Sequence, residues 1–150
     1  MRMNPQLSDE SRNTLARVAE AYRLSLIYVF GSQAQLGLKL LSGDTAPAVD
    51  PLADIDVGVV FKDGLPPLEA RSDVYAGLYG ELADLFAPHR LDLCFLEENH
   101  SVFQCSVFQG ACIYAASDEA RLDYEEMIVR RAADFRPVLE TYLDEILEEM

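Results

Sequence analysis

Two aspartates at the start of an apolar segment are the residues in this sequence best suited to a catalytic or metal-binding role. Asp54 and Asp56 are separated by one residue, and an apolar run extends from them to Phe61. Side chains alternate across a strand, so both carboxylates should project from the same face. Like charges this close repel each other, and a divalent cation between them removes that repulsion. The pair therefore predicts a Mg²⁺ site that leaves coordination positions for phosphate oxygens.

The pattern Asp-x-Asp is weak evidence by itself, because a chain of this composition should contain about one such pair by chance. Its place at the start of an apolar strand is what favours a metal site. Gly58 follows on the same predicted face and would leave room beside the acids. The alternative interpretation is a solvated strand start with two exposed acids.

A third carboxylate, Asp92, interrupts the apolar segment from Arg90 to Leu96. A charge within such a run costs free energy unless it is paired or bound to a metal. If this strand lies beside the one that carries Asp54, Asp92 would complete a cluster of three acids. It could also accept the proton of an attacking hydroxyl. The alternatives are an ion pair with Arg90 or a surface acid on an edge strand.

A Gly-Ser pair, Gly31 and Ser32, joins an apolar strand to a run of helix-forming residues. Amide groups at a helix N-terminus bind anions, the serine hydroxyl adds a donor, and glycine lets a phosphate approach the backbone closely. The pair therefore predicts a phosphate-binding turn, with Ser32 as the helix N-cap. A plain turn with an N-cap is the commoner meaning of the same two residues.

The elements that must position these residues alternate along the chain. Periodicity predicts helices at 8–22, 33–41, 67–85, 100–109 and from 117 onward, strands at 24–30, 55–61, 90–96 and 111–115, and a loop at 42–51. This αβαβαβαβα order predicts an α/β (α+β) fold, with one mixed β-sheet flanked by helices and a long C-terminal helical segment. Pro137 should kink that segment or start a second helix.

Size and charge limit the possible partners. The chain has 150 residues, which predicts a single domain, and a net charge of −14 with only 12 Lys and Arg. A protein that grips long nucleic acid needs a basic face, so long nucleic acid is excluded as a partner. No apolar run reaches membrane-spanning length, and the N-terminus lacks a signal-peptide core. Three cysteines without a CxxC pair suit a reducing compartment, so we expect a cytoplasmic protein.

The last part of the chain, from Leu139 to Met150, keeps apolar residues at helical spacing, and part of that stripe is expected to dock a partner. The acids of the C-terminal helical segment, Glu125 among them, are expected on its solvated face. His89 and His100 lie at predicted strand and helix ends, where surface or capping roles are expected.

Three segments in combination resemble the DNA polymerase β-type nucleotidyltransferase superfamily: 27–34 with its Gly-Ser turn, 54–57 with its Asp-x-Asp, and 91–93 with its third acid. The short length, the segment 108–114 and the acidic C-terminal helix around 134–137 resemble the minimal branch of that superfamily. The resemblance extends from about residue 13 onward and implies the nucleotidyltransferase fold over the whole domain, 1–150.

The resemblance also implies roles. The chain would transfer a nucleotidyl group, AMP from ATP, to a hydroxyl with the help of Mg²⁺. Gly31 and Ser32 would hold the nucleotide phosphates, Asp54 and Asp56 would bind the metal, and Asp92 would be the third ligand and the base. Members of the minimal branch are often antitoxins encoded beside a HEPN-domain RNase toxin, which some of them silence by transferring AMP to a tyrosine. A HEPN-domain toxin, held in a hetero-oligomer, is thus the expected partner.

Two further functions stay open at the level of the sequence. The chain departs from the family pattern at Ala53, where a serine is common, and at Gln35, where a basic residue is common. These departures would weaken nucleotide affinity, so a binding module that neutralises its partner by occlusion alone is one alternative. A nucleotidyltransferase that acts on a small molecule is the other.

Overall fold

A computed structural model describes residues 6–44 and 52–149. The helices are α1 Asp9–Tyr22, α2 Ala34–Leu41, α3 Arg71–Ala83, α4 Ser101–Val107 and α5 Asp118–Glu149, and the strands are β1 Leu24–Phe30, β2 Asp54–Phe61, β3 Arg90–Phe95 and β4 Ala111–Ala115. Short 3₁₀ helices at Leu68–Ala70, Asp84–Phe86 and Leu96–Glu98 flank α3 and follow β3. The predicted order of elements is confirmed, while most of the predicted loop, 45–51, lies outside the described residues.

The four strands form one mixed sheet in the order β3-β2-β1-β4. Strand β2 runs parallel to β3, and β1 runs antiparallel to both of its neighbours, β2 and β4. The mixed sheet flanked by helices is therefore confirmed. The parallel register pairs Asp56 of β2 with Asp92 of β3, which brings two of the predicted site residues onto neighbouring strands.

The two faces of the sheet carry separate hydrophobic cores because side chains alternate along each strand. One face of β2, with Ile55, Val57 and Val59, packs in a core that α1, α2 and α3 complete. The opposite face carries Tyr28 of β1 and Leu96, and α4 and α5 cover it. The acids Asp54, Asp56 and Asp92 lie on this second face, where Asp54 and Asp92 are exposed and Asp56 is half-buried.

Helix α5 continues through Pro137 to Glu149, so Pro137 does not begin a second helix. Its last buried residue in the described part is Ala132; beyond it, every residue whose side chain is described is exposed, Leu147 among them. Most of the apolar stripe expected to dock a partner, including Leu139, Leu143 and Ile146, has side chains outside the described part. No helix in the described ranges combines the length and the apolar character needed to cross a membrane.

Glu125 corrects the expectation that the acids of α5 are all solvated. Only 4% of Glu125 is exposed. Its carboxylate accepts a 2.6 Å hydrogen bond from the Tyr28 hydroxyl and a 3.1 Å bond from Arg121 one turn earlier. A buried carboxylate is stable when such partners satisfy it. This contact ties the C-terminal helix to the central strand β1.

Candidate active site

The three aspartates lie together on one face of the sheet. Asp56 and Asp92 are register partners in the parallel β2–β3 pair, and Asp54 precedes Asp56 by two residues on the same face. Asp54 and Asp92 are exposed, whereas Asp56 is half-buried. Strand β3 is an edge strand, so Asp92 is a surface acid, and no ion pair joins it to Arg90 within the described residues. Its exposure leaves it open to an approaching molecule.

Asp56 is the electrostatically strained member of the group. Burial, a hydrogen bond with Asp92 and the negative charges of Asp92 and Asp54 together raise the pKa of Asp56 to about 6. A carboxylate with a raised pKa beside a second carboxylate favours either a proton or a cation between the two. The pair is therefore suited to bind a divalent ion, which would displace that proton.

The three carboxylates fit Mg²⁺ as a partial set of ligands and not as a complete cage. In the part of the chain that the structure describes, no three His, Cys, Asp or Glu side chains converge closely enough to form a complete metal cage. Mg²⁺ is commonly held by one or two carboxylates, with substrate phosphates and waters as its other ligands. Asp56 and Asp92 supply such carboxylates, and Asp54 stands beside them. The arrangement suits an ion that arrives with a nucleotide.

Gly31 shapes the site from the neighbouring strand. Its φ of +79° lies in the left-handed region, which side chains other than hydrogen disfavour. A Cβ atom added at this position would stand 2.3 Å from Oδ2 of Asp56. Only glycine therefore lets the turn after β1 lie directly against the Asp56 carboxylate.

The prediction that Ser32 caps α2 is wrong. The helix begins at Ala34, its N-cap is Gln33, and no side-chain hydrogen bond caps it. The Ala34 amide instead donates to the Gly31 carbonyl at 3.3 Å, which closes a tight turn. Ser32 is exposed at the tip of that turn, so its hydroxyl is accessible, and phosphate binding by Gly31 and Ser32 stays a prediction.

Gly58 does not leave room beside the acids. A Cβ atom added there would lie 2.5 Å from Cδ2 of Leu96, so the Leu96 side chain fills the space above the glycine. Gly58 thus serves the packing of the second core, and the site extends in the opposite direction, towards Gly31.

His89 is a residue whose place the sequence analysis missed. It is buried, and its Nδ1 lies 3.2 Å from the carbonyl oxygen of Ala53, the residue before Asp54. This contact fixes the start of β2 next to the acids. No periodicity reveals it, because the two residues are far apart in the chain. The capping role is confirmed for His100, whose Nδ1 accepts the Val102 amide at 3.2 Å at the start of α4.

A cavity of about 620 Å³ opens beside the Gly31 turn. One wall comes from the end of β1 and the start of α2, and the other comes from α4 and the turn into β4. The lining residues are Phe30, Gly31, Ser32, Ala34, Gln35, Phe103, Ser106, Gln109 and Gly110. The cavity therefore adjoins the acids through Gly31, which borders both.

Asp56 should lower the stability of the metal-free protein at neutral pH. Its pKa rises from an ordinary 3.8 to about 6 on folding, so the folded state holds the proton more tightly. The stability gained from that proton is complete below about pH 4 and is lost as the pH rises through about 6. Asp56→Asn cannot ionise but can still donate to Asp92. We expect the variant to be more stable than wild type above about pH 7, by about 1 kcal/mol after allowance for solvent screening.

The measurement is urea unfolding with a chelator present, at several pH values. The stability gain of Asp56→Asn should disappear near pH 3, since Asp56 is then largely protonated in both the folded and the unfolded wild type. Asp123→Asn, which removes an exposed acid on α5, is the matched control and should show no such pH-dependent gain. A stability difference that is the same at every pH would contradict the prediction.

Comparison with known proteins finds a matching family model and solved structures of similar fold. The family model for polymerase beta nucleotidyltransferases matches residues 13–119. A crystal structure of a toxin–antitoxin with AMP-PNP is similar with a TM-score of 0.60 and 19% identity, over 91% of this chain and 98% of that chain. A crystal structure of a mutant of the toxin–antitoxin MntA-HpeT is similar with a TM-score of 0.57 and 19% identity, over 93% and 99%. No curated protein matches the chain.

At 19% identity the likeness to the two solved structures is one of fold. The family match is stronger evidence of relationship, because the matched residues 13–119 include the Gly31 turn and all three acids. The chain belongs to the polymerase beta nucleotidyltransferase family.

Proposed function

We propose that this protein is an antitoxin that transfers AMP from ATP to a hydroxyl of its partner toxin. The observation that carries the proposal is the pairing of Asp56 with Asp92, next to Asp54 and against the Gly31 turn. This arrangement joins a pair of carboxylates suited to a divalent cation to a turn that a phosphate can approach. It is what a nucleotidyl transfer requires, because the protein must mainly position and neutralise the triphosphate.

Each residue has a role in the proposed reaction. The oxygen of the acceptor hydroxyl forms a bond to the α-phosphorus of ATP, while the bond from that phosphorus to the bridging oxygen breaks and pyrophosphate leaves. Asp92, exposed at the sheet edge, takes the hydroxyl proton. Asp54 and Asp56, with Asp92 as the third ligand, would hold Mg²⁺, which neutralises charge on the triphosphate when bound. Gly31 and Ser32 would receive the phosphates at the turn before α2.

A toxin partner is supported by the kinds of structure that share this fold. Both similar structures are of toxin–antitoxin systems, and one of them contains AMP-PNP, an analogue of ATP. The HEPN identity of the toxin and a tyrosine acceptor follow from the resemblance to the minimal branch. The three cysteines, which are free thiols in the structure, suit the cytoplasm as the compartment.

The proposal is tested by intact-mass spectrometry. The protein is purified with the product of the adjacent gene and incubated with ATP and Mg²⁺. An added mass of one or more AMP groups on the partner is the expected result. Silencing of the partner with no added mass would favour occlusion instead. Consumption of ATP with neither protein modified would favour a small-molecule acceptor.

Binding of Mg²⁺ and ATP should also stabilise the folded protein. A ligand that binds only the folded state raises the melting temperature by mass action, and about 2.7 kcal/mol is gained at 100 times Kd. The increase should be large for wild type with both components and small with either component alone. Asp56→Asn should show a markedly smaller increase, even though it is the more stable protein without ligand.

The measurement is thermal unfolding with and without Mg²⁺ and ATP, with Asp123→Asn as the matched control for the removal of one negative charge. Equal increases in wild type and Asp56→Asn would count against a metal-binding role for Asp56.

A further inference from the structure

We infer that Arg90 is a further catalytic residue, whose guanidinium binds the α-phosphate of ATP on the side from which the acceptor hydroxyl attacks. This inference rests on the proposed function, which gives roles to the three acids and to the Gly31 turn but to no positively charged side chain. It deepens that function by naming the side chain that stabilises the phosphate during the transfer.

The position of Arg90 in the sheet is the first argument. Arg90 begins β3 and is the register partner of Asp54 on β2. It precedes Asp92 by two residues, so side-chain alternation places both on the face that carries the acids. Leu91, which lies between them, packs in the core on the opposite face. Arg90 therefore stands at the border of the acid group, on the edge strand.

The charge of Arg90 is the second argument. It is the only Lys or Arg in the four strands that the structure describes. The cavity beside the Gly31 turn is lined by nine residues, none of them charged, so that side of the site offers no cation to a phosphate. A guanidinium presents five N–H donors in a planar fork, which can hold two phosphate oxygens at once. Arg90 is thus well suited to bind a phosphate group next to the acids.

The Arg90 side chain is also unoccupied. It is exposed, and among the described residues it makes no ion pair and no side-chain hydrogen bond, although its register partner is an acid. An arginine that served the stability of the fold would be expected to hold one of the neighbouring carboxylates. The Arg90 guanidinium can instead turn towards a ligand without breaking a contact.

The direction of attack decides which part of ATP Arg90 can reach. The acceptor oxygen must lie beside Asp92 to lose its proton, and the leaving pyrophosphate lies in line with it on the other side of the α-phosphorus. The Gly31 turn, proposed to hold the phosphates, follows β1, which is two strands away from β3. Adjacent strands are about 4.8 Å apart, so Arg90 and the turn lie on opposite sides of the acids. Arg90 therefore approaches the α-phosphate from the side of the acceptor.

Arg90 acts on charge and transfers no proton. The acceptor oxygen bonds to the α-phosphorus, the bond from that phosphorus to the bridging oxygen breaks, and pyrophosphate leaves with the electron pair while Asp92 takes the hydroxyl proton. The guanidinium stays protonated throughout and donates to the non-bridging oxygens of the α-phosphate. A donor placed in this way stabilises the charge that develops in the transition state.

The experiment measures single-turnover AMP transfer to the partner by mass spectrometry. Arg90→Gln should lose about 100-fold in rate at saturating ATP. Arg90→Lys, which keeps the charge without the planar fork, should recover part of that loss. Neither variant should change the melting temperature without ligand, because the described structure gives the side chain no partner to lose. Arg17→Gln removes an exposed arginine from α1, on the opposite face, and should transfer AMP as wild type does.

The two diastereomers of α-thio-ATP test the contact itself. Each replaces one non-bridging oxygen of the α-phosphate by sulfur, which is a weak hydrogen-bond acceptor. In wild type, the diastereomer whose sulfur faces Arg90 should react more slowly than ATP. Arg90→Gln should remove that difference and leave the effect of the other diastereomer unchanged. A residue that only supported the strand would change the rate with ATP and with both diastereomers by the same factor.

Each outcome decides a separate point. If wild type adds no AMP, the proposed function fails and the role of Arg90 fails with it. If wild type adds AMP and Arg90→Gln adds it equally fast, the role of Arg90 is overturned while the proposed function stands. An effect confined to the KM for the partner would make Arg90 a docking residue, and equal slowing with ATP and both diastereomers would make it a structural one. Either of these results also overturns the inference.

Discussion

Replacing Asp54 and Asp56 together by asparagine should abolish AMP transfer to the partner while the complex with the partner remains intact. Removal of both carboxylates takes away two of the three side chains proposed to hold Mg²⁺ against the triphosphate. Charge neutralisation by a metal is worth several kcal/mol in the transition state, so we expect a loss of about 1,000-fold or more in rate. Asparagine has nearly the shape of aspartate, and the fold should therefore be retained. The measurement is the rate of mass addition to the partner in single-turnover reactions.

The matched control removes the same charge from the other side of the sheet. Asp73→Asn with Asp84→Asn changes two exposed acids on and after α3, which packs on the opposite face. This control should transfer AMP at nearly the wild-type rate. Co-purification of the double Asp54/Asp56 variant with the partner shows whether docking survives. If that variant silences the partner as fully as wild type does, and wild type adds no mass, the protein acts by occlusion.

The strands could be predicted to within one residue because each is marked by an apolar run and bounding residues that are consecutive in the sequence. Strand β2 is an apolar run that begins with the Asp-x-Asp, and β4 is a short apolar segment bounded by glycine and polar residues; the structure has them at Asp54–Phe61 and Ala111–Ala115. The grouping of the acids could also be anticipated, since side-chain alternation within a strand and one neighbouring strand suffice. What the sequence left open was whether β3 lies next to β2, which depends on the topology of the whole sheet.

Three of the wrong expectations share one cause, which is contact between residues distant in the chain, whereas the misplaced N-cap at Ser32 is a local error. Glu125 looks solvated in its helix, but its partner Tyr28 is 97 positions away. Gly58 was expected to leave space beside the acids, but the Leu96 side chain occupies that space. His89 looks like a strand-end surface residue, yet it lies against the Ala53 carbonyl across the β2–β3 junction. Composition and periodicity describe one segment at a time and cannot show such contacts.

The second large effect is expected at the Gly31 turn. Gly31→Ala places a methyl group only 2.3 Å from Oδ2 of Asp56. The substituted residue would also have to adopt a φ of +79°. A left-handed conformation costs a non-glycine residue about 1–2 kcal/mol, and the contact must be relieved by movement of the Asp56 carboxylate or of the turn. Both movements displace groups proposed to hold the metal and the phosphates. A displacement of about 1 Å at a reacting centre can cost 100-fold in rate.

Gly64→Ala separates the two contributions of Gly31→Ala. Gly64 has nearly the same backbone angle, φ +81°, and an added Cβ there meets nothing within 4 Å. The Gly64 variant should therefore lose about 1–2 kcal/mol of stability from the backbone alone and keep its transfer activity. Gly31→Ala should lose at least as much stability and also about 100-fold in transfer rate. Urea unfolding and the mass-addition assay measure the two quantities on each variant. If Gly31→Ala matches Gly64→Ala in both, the turn takes no part in holding Asp56 or the nucleotide, and the phosphates must bind elsewhere.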